Sequence, residues 1–252
     1  MSEAKIAATE IPDEVTVCVM SCGRLDLLAR TMASFRSTNT GGRYIISEDS
    51  ADPAVIAEVT RLYPEAKIVS GPDRLGIMRA IDRLYEAVTT PYIFHLEDDW
   101  GFDGPVDWKA AIALLEQDSK VANVLVRAFD ELKPQWRAKS DPVVCGGQKF
   151  QVMRANAHPE FFGWSPNPGL INKSLWDAHK PFGRMYPDQM SGLIKSKGRV
   201  VAYMLPGVAR HIGAGRNVTD PTMPARPKSR PLKWLRGIKK KLYYAGLRKE
   251  PF

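Results

Sequence analysis

The sequence predicts an α/β protein: a mostly parallel sheet flanked by helices, with a basic amphipathic helix near the C-terminal end. Three observations predict it. Short apolar, β-branched runs alternate with segments of helical apolar period between residues 15 and 126, the pattern of a parallel sheet covered on both faces. Polar clusters close several of these runs, at the strand ends where open α/β sheets bind ligands. The charge is uneven: residues 226–252 hold 10 Lys and Arg against 1 acidic residue, and residues 1–225 hold 26 against 27.

Val15–Met20 is a β-branched run that reads as a buried strand, and Ser21-Cys22-Gly23-Arg24 supplies the turn after it. Leu27, Leu28, Met32 and Phe35 give a helix over Leu25–Ser37 its apolar face. A second strand, Tyr44–Ile46, ends in the acidic turn Ser47–Pro53, and a helix follows from Ala54 to Tyr63. Ala66–Ser70 reads as a third strand and Ile77–Val88 as a third helix. Tyr92–Leu96 is a fourth strand that runs straight into Glu97-Asp98-Asp99-Trp100. A helix over Lys109–Gln117 and a strand over Val121–Val126 come next. Residues 130–170, dense in Pro, Gly and Trp, read as irregular structure of the kind that builds substrate pockets. A helix over Pro187–Lys197 and a strand over Arg199–Leu205 complete the body. The expected organisation is a polar segment over 1–14, a body over 15–225 with halves 15–108 and 109–225, and a tail over 226–252.

With 252 residues, 44% hydrophobic, 25% charged and 9% aromatic, the chain can bury a sizeable core, which excludes disorder, collagen and coiled coil. Cys18, Cys22 and Cys145 lack the paired spacing of a zinc site, and their odd number fits a reducing compartment. The start is polar and acidic rather than a signal peptide, and no run approaches the roughly 18 apolar residues of a membrane span. A cytoplasmic protein is expected. No Gly-X-Gly-X-X-Gly, Gly-Lys-Ser/Thr or Gly-X-Ser-X-Gly motif occurs, which argues against dinucleotide, P-loop and hydrolase-elbow chemistry.

Glu97-Asp98-Asp99 sets three carboxylates in succession after an apolar strand, and their mutual repulsion is costly unless a cation neutralises them. Mg²⁺ and Mn²⁺ favour such oxygen ligands and share them with substrate phosphates. The alternative, an acidic surface turn, is disfavoured by the strand-end position beside Trp100.

In the order of these signals the chain resembles the GT-A glycosyltransferases, especially the large family-2 group, over roughly residues 15–215. Pro91-Tyr-Ile-Phe-His-Leu-Glu-Asp-Asp99 stands where that family has its Asp-X-Asp motif. Glu97-Asp98-Asp99 looks more like the Glu-Asp-Asp version found in N-acetylglucosaminyltransferases of this fold. The resemblance implies a Rossmann-like GT-A sheet, a Mn²⁺ or Mg²⁺ cofactor and a nucleotide-diphosphate sugar, UDP- or GDP-linked. It implies that Glu48 or Asp49 contacts the base or ribose, that Asp99 is the principal metal ligand, and that Glu97 and Asp98 support the metal or the ribose. Arg79 lies on the helix whose equivalents approach the diphosphate, with Arg24, Arg74 and Arg83 as competing candidates.

Phe161–Gly169 mixes aromatic faces with amide and hydroxyl groups, suited to a sugar or simply to packing; Trp164 and Asn167 are its candidate acceptor contacts, with Trp100 beside the acidic triplet. Tyr186-Pro-Asp-Gln-Met190 stands where family-2 enzymes place their general base. Direct transfer with inversion, as the resemblance implies, needs a carboxylate to take the acceptor proton. Asp188 is the candidate base, and it could also cap a Gln189–Lys197 helix. Arg210–Asn217 resembles the His-containing segment that closes over the nucleotide in several GT-A enzymes. His211 could complete an oxygen-rich Mn²⁺ site, Arg216 could meet the diphosphate, and Gly213 and Gly215 suggest a mobile lid.

In the tail, Leu235, Ile238 and Leu242 fall at helical spacing among basic residues, with Trp234, Tyr243 and Tyr244 as interfacial anchors. Residues 231–249 fit an anionic membrane surface better than nucleic acid or a solvated tail. The expected function is a metal-dependent, inverting glycosyltransferase at the inner face of the plasma membrane. Its acceptor would be a glycan or glycolipid of lipopolysaccharide, exopolysaccharide or lipid-linked type. The rivals are a sugar-phosphate nucleotidyltransferase and a non-enzymatic basic-tailed adaptor for membrane or nucleic acid. The near-neutral body makes nucleic acid the least expected partner.

Overall fold

The computed structural model describes residues 7–223, 229–244 and 247. The chain runs through β1 (Thr9–Glu10), β2 (Val15–Ser21), α1 (Leu25–Thr38), β3 (Asn39–Thr40), β4 (Arg43–Glu48), α2 (Pro53–Leu62), β5 (Lys67–Val69), α3 (Ile77–Glu86), β6 (Tyr92–Glu97) and β7 (Trp100–Phe102). It continues through α4 (Trp108–Gln117), β8 (Val121–Leu125), α5 (Pro134–Arg137), β9 (Ser140–Cys145), β10 (Gln148–Met153), β11 (Gly169–Asn172), α6 (Lys173–His179), α7 (Pro187–Ser196), β12 (Val200–Leu205) and β13 (Ala209–His211). A second compact unit begins at Thr219 and contains α8 (Arg230–Tyr244).

Among the described residues the central sheet has nine strands in the order β5-β4-β2-β6-β11-β8-β12-β10-β9. Of these, β11 and β10 run against the others, which makes the sheet the mostly parallel one that the alternation predicts. Successive strand residues point to opposite faces, and both faces are apolar. Val17, Val19, Ile46, Phe94 and Leu170 pack on one side with α1 and α4, while Cys18, Ile45, Ile93 and Ile171 pack on the other with α3, α6 and α7. Phe35 of α1 anchors the first face, stacked 5.5 Å from Phe94 and edge-on to Phe102 and Trp108. Truncating such a residue to Ala costs about 3–5 kcal/mol.

Residues 130–170 differ from the irregular structure expected of them. Ser140–Cys145 and Gln148–Met153 form a hairpin that extends the sheet through β12. Its turn is Gly146-Gly147, both at positive φ (57° and 83°), which matches the twist of a two-residue hairpin. Pro142 is tolerated because β9 is the edge strand. Asp188 does not cap α7. Pro187, with its φ already helical, starts the helix earlier, so Tyr186 takes the cap position and its N–H donates to Gln189 Oε1 at 2.9 Å.

Candidate active site

β2, β4 and β6 run in register, with Ser21 opposite Glu48 and Met20 opposite Glu97, so the three polar clusters meet at the carboxyl ends of these strands, the acidic edge of the sheet. Glu48 joins two of them: its Oε1 accepts from Gly23 N at 2.9 Å and Ser50 N at 2.8 Å. Gly23 has a φ of 74°, a conformation a side chain would oppose. Asp49 fixes the start of α3, accepting from Leu75 N and Gly76 N at 3.0 Å and pairing with Arg83 at 3.1 Å. Glu48 and Asp49 are thus buried braces of the loops. On α3 it is Arg83 that reaches the acidic edge, whereas Arg79 is exposed, with its stem beside Gly183.

Arg24 neutralises the acidic triplet. Its guanidinium pairs with Asp98 and, through Nη1, with Asp99 Oδ2 at 2.8 Å. Burial raises the Asp98 carboxyl to about 6 against the pull of Arg24. Burial, reinforced by the Asp99 charge, raises Glu97 to about 8 although Trp100 donates to it at 3.2 Å. The repulsion expected among three carboxylates is therefore relieved in part by Arg24, while burial favours the neutral form of Glu97.

β13 pairs with β7, and this sets His211 opposite Trp100, their rings 5.5 Å apart. His211 Nε2 stands 3.4 Å from Asp99 Oδ2, and Ile212 N donates to Asp99 O at 2.8 Å. Two donors on one octahedral ion of this size stand about 3 Å apart, so a carboxylate and an imidazole at 3.4 Å fit Mn²⁺ or Mg²⁺. No group of three or more metal-ligating side chains gathers among the described residues. Arg216 pairs with Asp26 at 2.8 Å, and its carbonyl accepts from Arg24 at 3.1 Å.

A cavity of about 280 Å³ is lined by Trp164, Asn167, Asp188, Ser191, Arg127 and Tyr203, among others. Arg127 connects it to the acidic edge, 5.6 Å from the Trp100 ring and 3.4 Å from Asn167 Oδ1. Trp100 itself is 2% exposed and braces this junction from beneath. Sequence reasoning missed Arg127, Tyr203 and Ser191. Arg127 follows the end of β8 by two residues, a position at which the strand-end rule would have found it.

No family model matches the sequence, and no curated protein does. In structure the chain is similar to GalNAc-T7 crystallised with UDP, GalNAc and Mn²⁺, with a TM-score of 0.56 and 12% identity. The fold is that of the GT-A glycosyltransferases. The match covers 92% of this chain and 49% of the other, so this chain spans about half the length of that protein. The S. aureus TarS fragment 1–349 with UDP aligns at a TM-score of 0.48 and 13% identity, over 75% of this chain and 57% of that one.

Proposed function

We propose that the chain is a metal-dependent glycosyltransferase that moves a sugar from a UDP- or GDP-sugar to a hydroxyl of a glycan or glycolipid acceptor, with inversion. The carrying observation is the convergence of Asp99, His211 and Arg24 where β6 ends, on a GT-A sheet. Asp99 and His211 would hold Mn²⁺ or Mg²⁺, and the bound ion supplies electrostatic stabilisation of the leaving nucleoside diphosphate. Arg24 and Arg216 offer positive charge to the same phosphates. Glu97 and Asp98 keep the end of β6 in place, and the Glu48–Asp49 turn faces the nucleoside. In the cavity, Trp164 and Asn167 orient the acceptor, and the buried Asp188 takes the proton of its attacking hydroxyl.

The test is the thermal shift of the full chain with Mn²⁺ and UDP-, GDP-, CMP- and dTDP-sugars, beside Asp99→Asn. Stabilisation by one nucleotide that needs the metal and disappears in the variant is the expected result. No shift with any of them would sink the reading.

α8 supports the second part of the reading, attachment to an anionic membrane on its cytoplasmic face. Trp234 and Leu232 are 70% and 55% exposed, and Arg230, Lys233, Arg236, Lys239, Lys240 and Lys241 share the helix with them. No helix among the described residues is long and apolar enough to cross a membrane, so attachment would be to the surface.

A further inference from the structure

We propose that a second cavity, between the end of α6 and α7, binds a phosphate monoester whose organic group is apolar; this is independent of the glycosyltransferase reading above. The cavity holds about 320 Å³, within the range of small-ligand pockets, which run from about 300 to 1,000 Å³. It is distinct from the acceptor cavity. Asp188 and Ser191 line that one, whereas Met190, Leu193 and Lys197, spaced by three and four residues along another face of the helix, line this one. The two cavities have no lining residue in common.

The floor is apolar and the rim is cationic. Met190 is buried, and Met185 and Leu193 pack against the same core cluster. Lys180, Arg184 and Lys197 are exposed around them, and no Asp or Glu lines the cavity. The nearby carboxylates are engaged elsewhere. Asp177 takes the Lys180 and Lys173 ammonium groups at 3.2 and 3.0 Å, and Asp82 accepts from Trp176 Nε1 at 2.7 Å, Phe182 N at 2.9 Å and Gly183 N at 2.7 Å. Arg184 donates to the Lys180 carbonyl at 3.0 Å, and among the described residues neither it nor Lys197 pairs with a carboxylate.

Two uncompensated cations match the charge of a phosphate monoester, about −1.5 to −2 at neutral pH, and a guanidinium meets phosphate oxygens with two parallel N–H donors. One more donor is present. His179 lines the cavity, and its Nε2 is buried with no hydrogen-bond partner, a cost that a ligand relieves. In the tautomer protonated at Nε2 the imidazole donates to the phosphate. A sugar phosphate would set its hydroxyl groups against Met185, Met190 and Leu193, which leave them unpaired. An alkyl chain buries there instead, and each CH₂ removed from water tightens binding by up to about fourfold.

The test is isothermal titration calorimetry of the full chain, with UDP and Mn²⁺ present to fill the nucleotide site. Butyl, hexyl and octyl phosphate, each below its micelle concentration, are compared with octyl sulfate, inorganic phosphate and glucose 6-phosphate. Octyl phosphate should bind about tenfold more tightly than any of the last three, and affinity should rise with chain length. Arg184→Gln combined with Lys197→Gln should erase the preference over octyl sulfate, and Leu193→Asn should flatten the dependence on chain length. No binding of octyl phosphate, or the same affinity in the double variant, overturns the proposal. So does inorganic phosphate or glucose 6-phosphate binding as tightly as octyl phosphate. Titrating UDP and Mn²⁺ alone keeps the two readings apart: nucleotide binding without octyl phosphate binding strikes only the second cavity, and the reverse strikes only the enzyme reading.

Discussion

Gly213 lies against Asp99: a Cβ at position 213 would stand 2.6 Å from Asp99 Cβ and 2.7 Å from its Oδ2. The glycine is needed for close approach, since it lets the segment after β13 close over the carboxylate and bring His211 within reach. Gly213→Ala should displace Asp99 or the 211–213 segment, lower stability by about 1–3 kcal/mol and abolish the Mn²⁺-dependent nucleotide shift. Gly215 differs, with a φ of 78° and open space around it. Gly215→Ala should cost about 1 kcal/mol and keep the shift. Calorimetry with and without UDP and Mn²⁺ separates the two, and an equal effect on the metal-dependent shift would count against the assignment.

Arg24 is the internal counter-charge of Asp98 and Asp99. Arg24→Gln leaves two nearly buried carboxylates facing each other, a change that costs about 3 kcal/mol when one partner of a buried pair is removed. Mn²⁺ added alone should raise the melting temperature of the variant by more than that of wild type, because the ion replaces the lost charge. If the variant melts with wild type, the pairing contributes nothing to stability.

Much of this was legible in the sequence because the signals are local. Val15–Met20, Tyr44–Ile46 and Tyr92–Leu96 are apolar on both faces, so their identity as central strands and the polar clusters at their ends could be read directly. The β9–β10 hairpin was hidden because Ser140-Asp141-Pro142 reads as a turn, and an edge strand needs no continuous apolar run. Trp100–Phe102 and Ala209–His211 are three residues each, and their pairing joins segments about a hundred positions apart. Arg79 and Arg83 are one helical turn apart on α3. Which of them reaches Asp49 depends on where Gly76 starts that helix, a tertiary fact. The cavity draws on residues from 127 to 203, so only its aromatic stretch could be suspected.

His95 contributes a loss of stability in acid. It is buried in β6, its Nδ1 2.9 Å from Tyr85 Oη, and burial lowers its pKa from 6.5 to about 3. Between these values the unfolded chain binds a proton that the folded chain does not. The contribution is complete above the unfolded pKa and is lost as pH falls through it, at about 1.4 kcal/mol per unit, until the folded pKa is reached. From about pH 7 to about pH 5 this one group should remove about 2 kcal/mol. Urea unfolding of wild type and His95→Gln checks it: the variant should be less stable at neutral pH, and the gap should close by about 2 kcal/mol toward pH 5, while Glu97 and Asp98, raised by burial and opposite in sign, act in both proteins alike. Parallel curves would show that His95 is not the titrating group.

Charge and apolar surface act together in α8. Each of the six Lys and Arg in α8 contributes about 1 kcal/mol near an anionic surface at moderate salt, but charge alone is screened and reversible. Trp234 and Leu235, 70% and 44% exposed, give the helix a part that can enter the headgroup layer. The full chain should float with phosphatidylglycerol vesicles and stay behind with phosphatidylcholine ones, and a chain ending at Ala225 should float with neither. Trp234→Ala should retain binding at low salt and lose it as salt rises, because only the electrostatic part remains. Equal flotation of the full and shortened chains would remove the membrane from the proposal and leave the catalytic reading untouched.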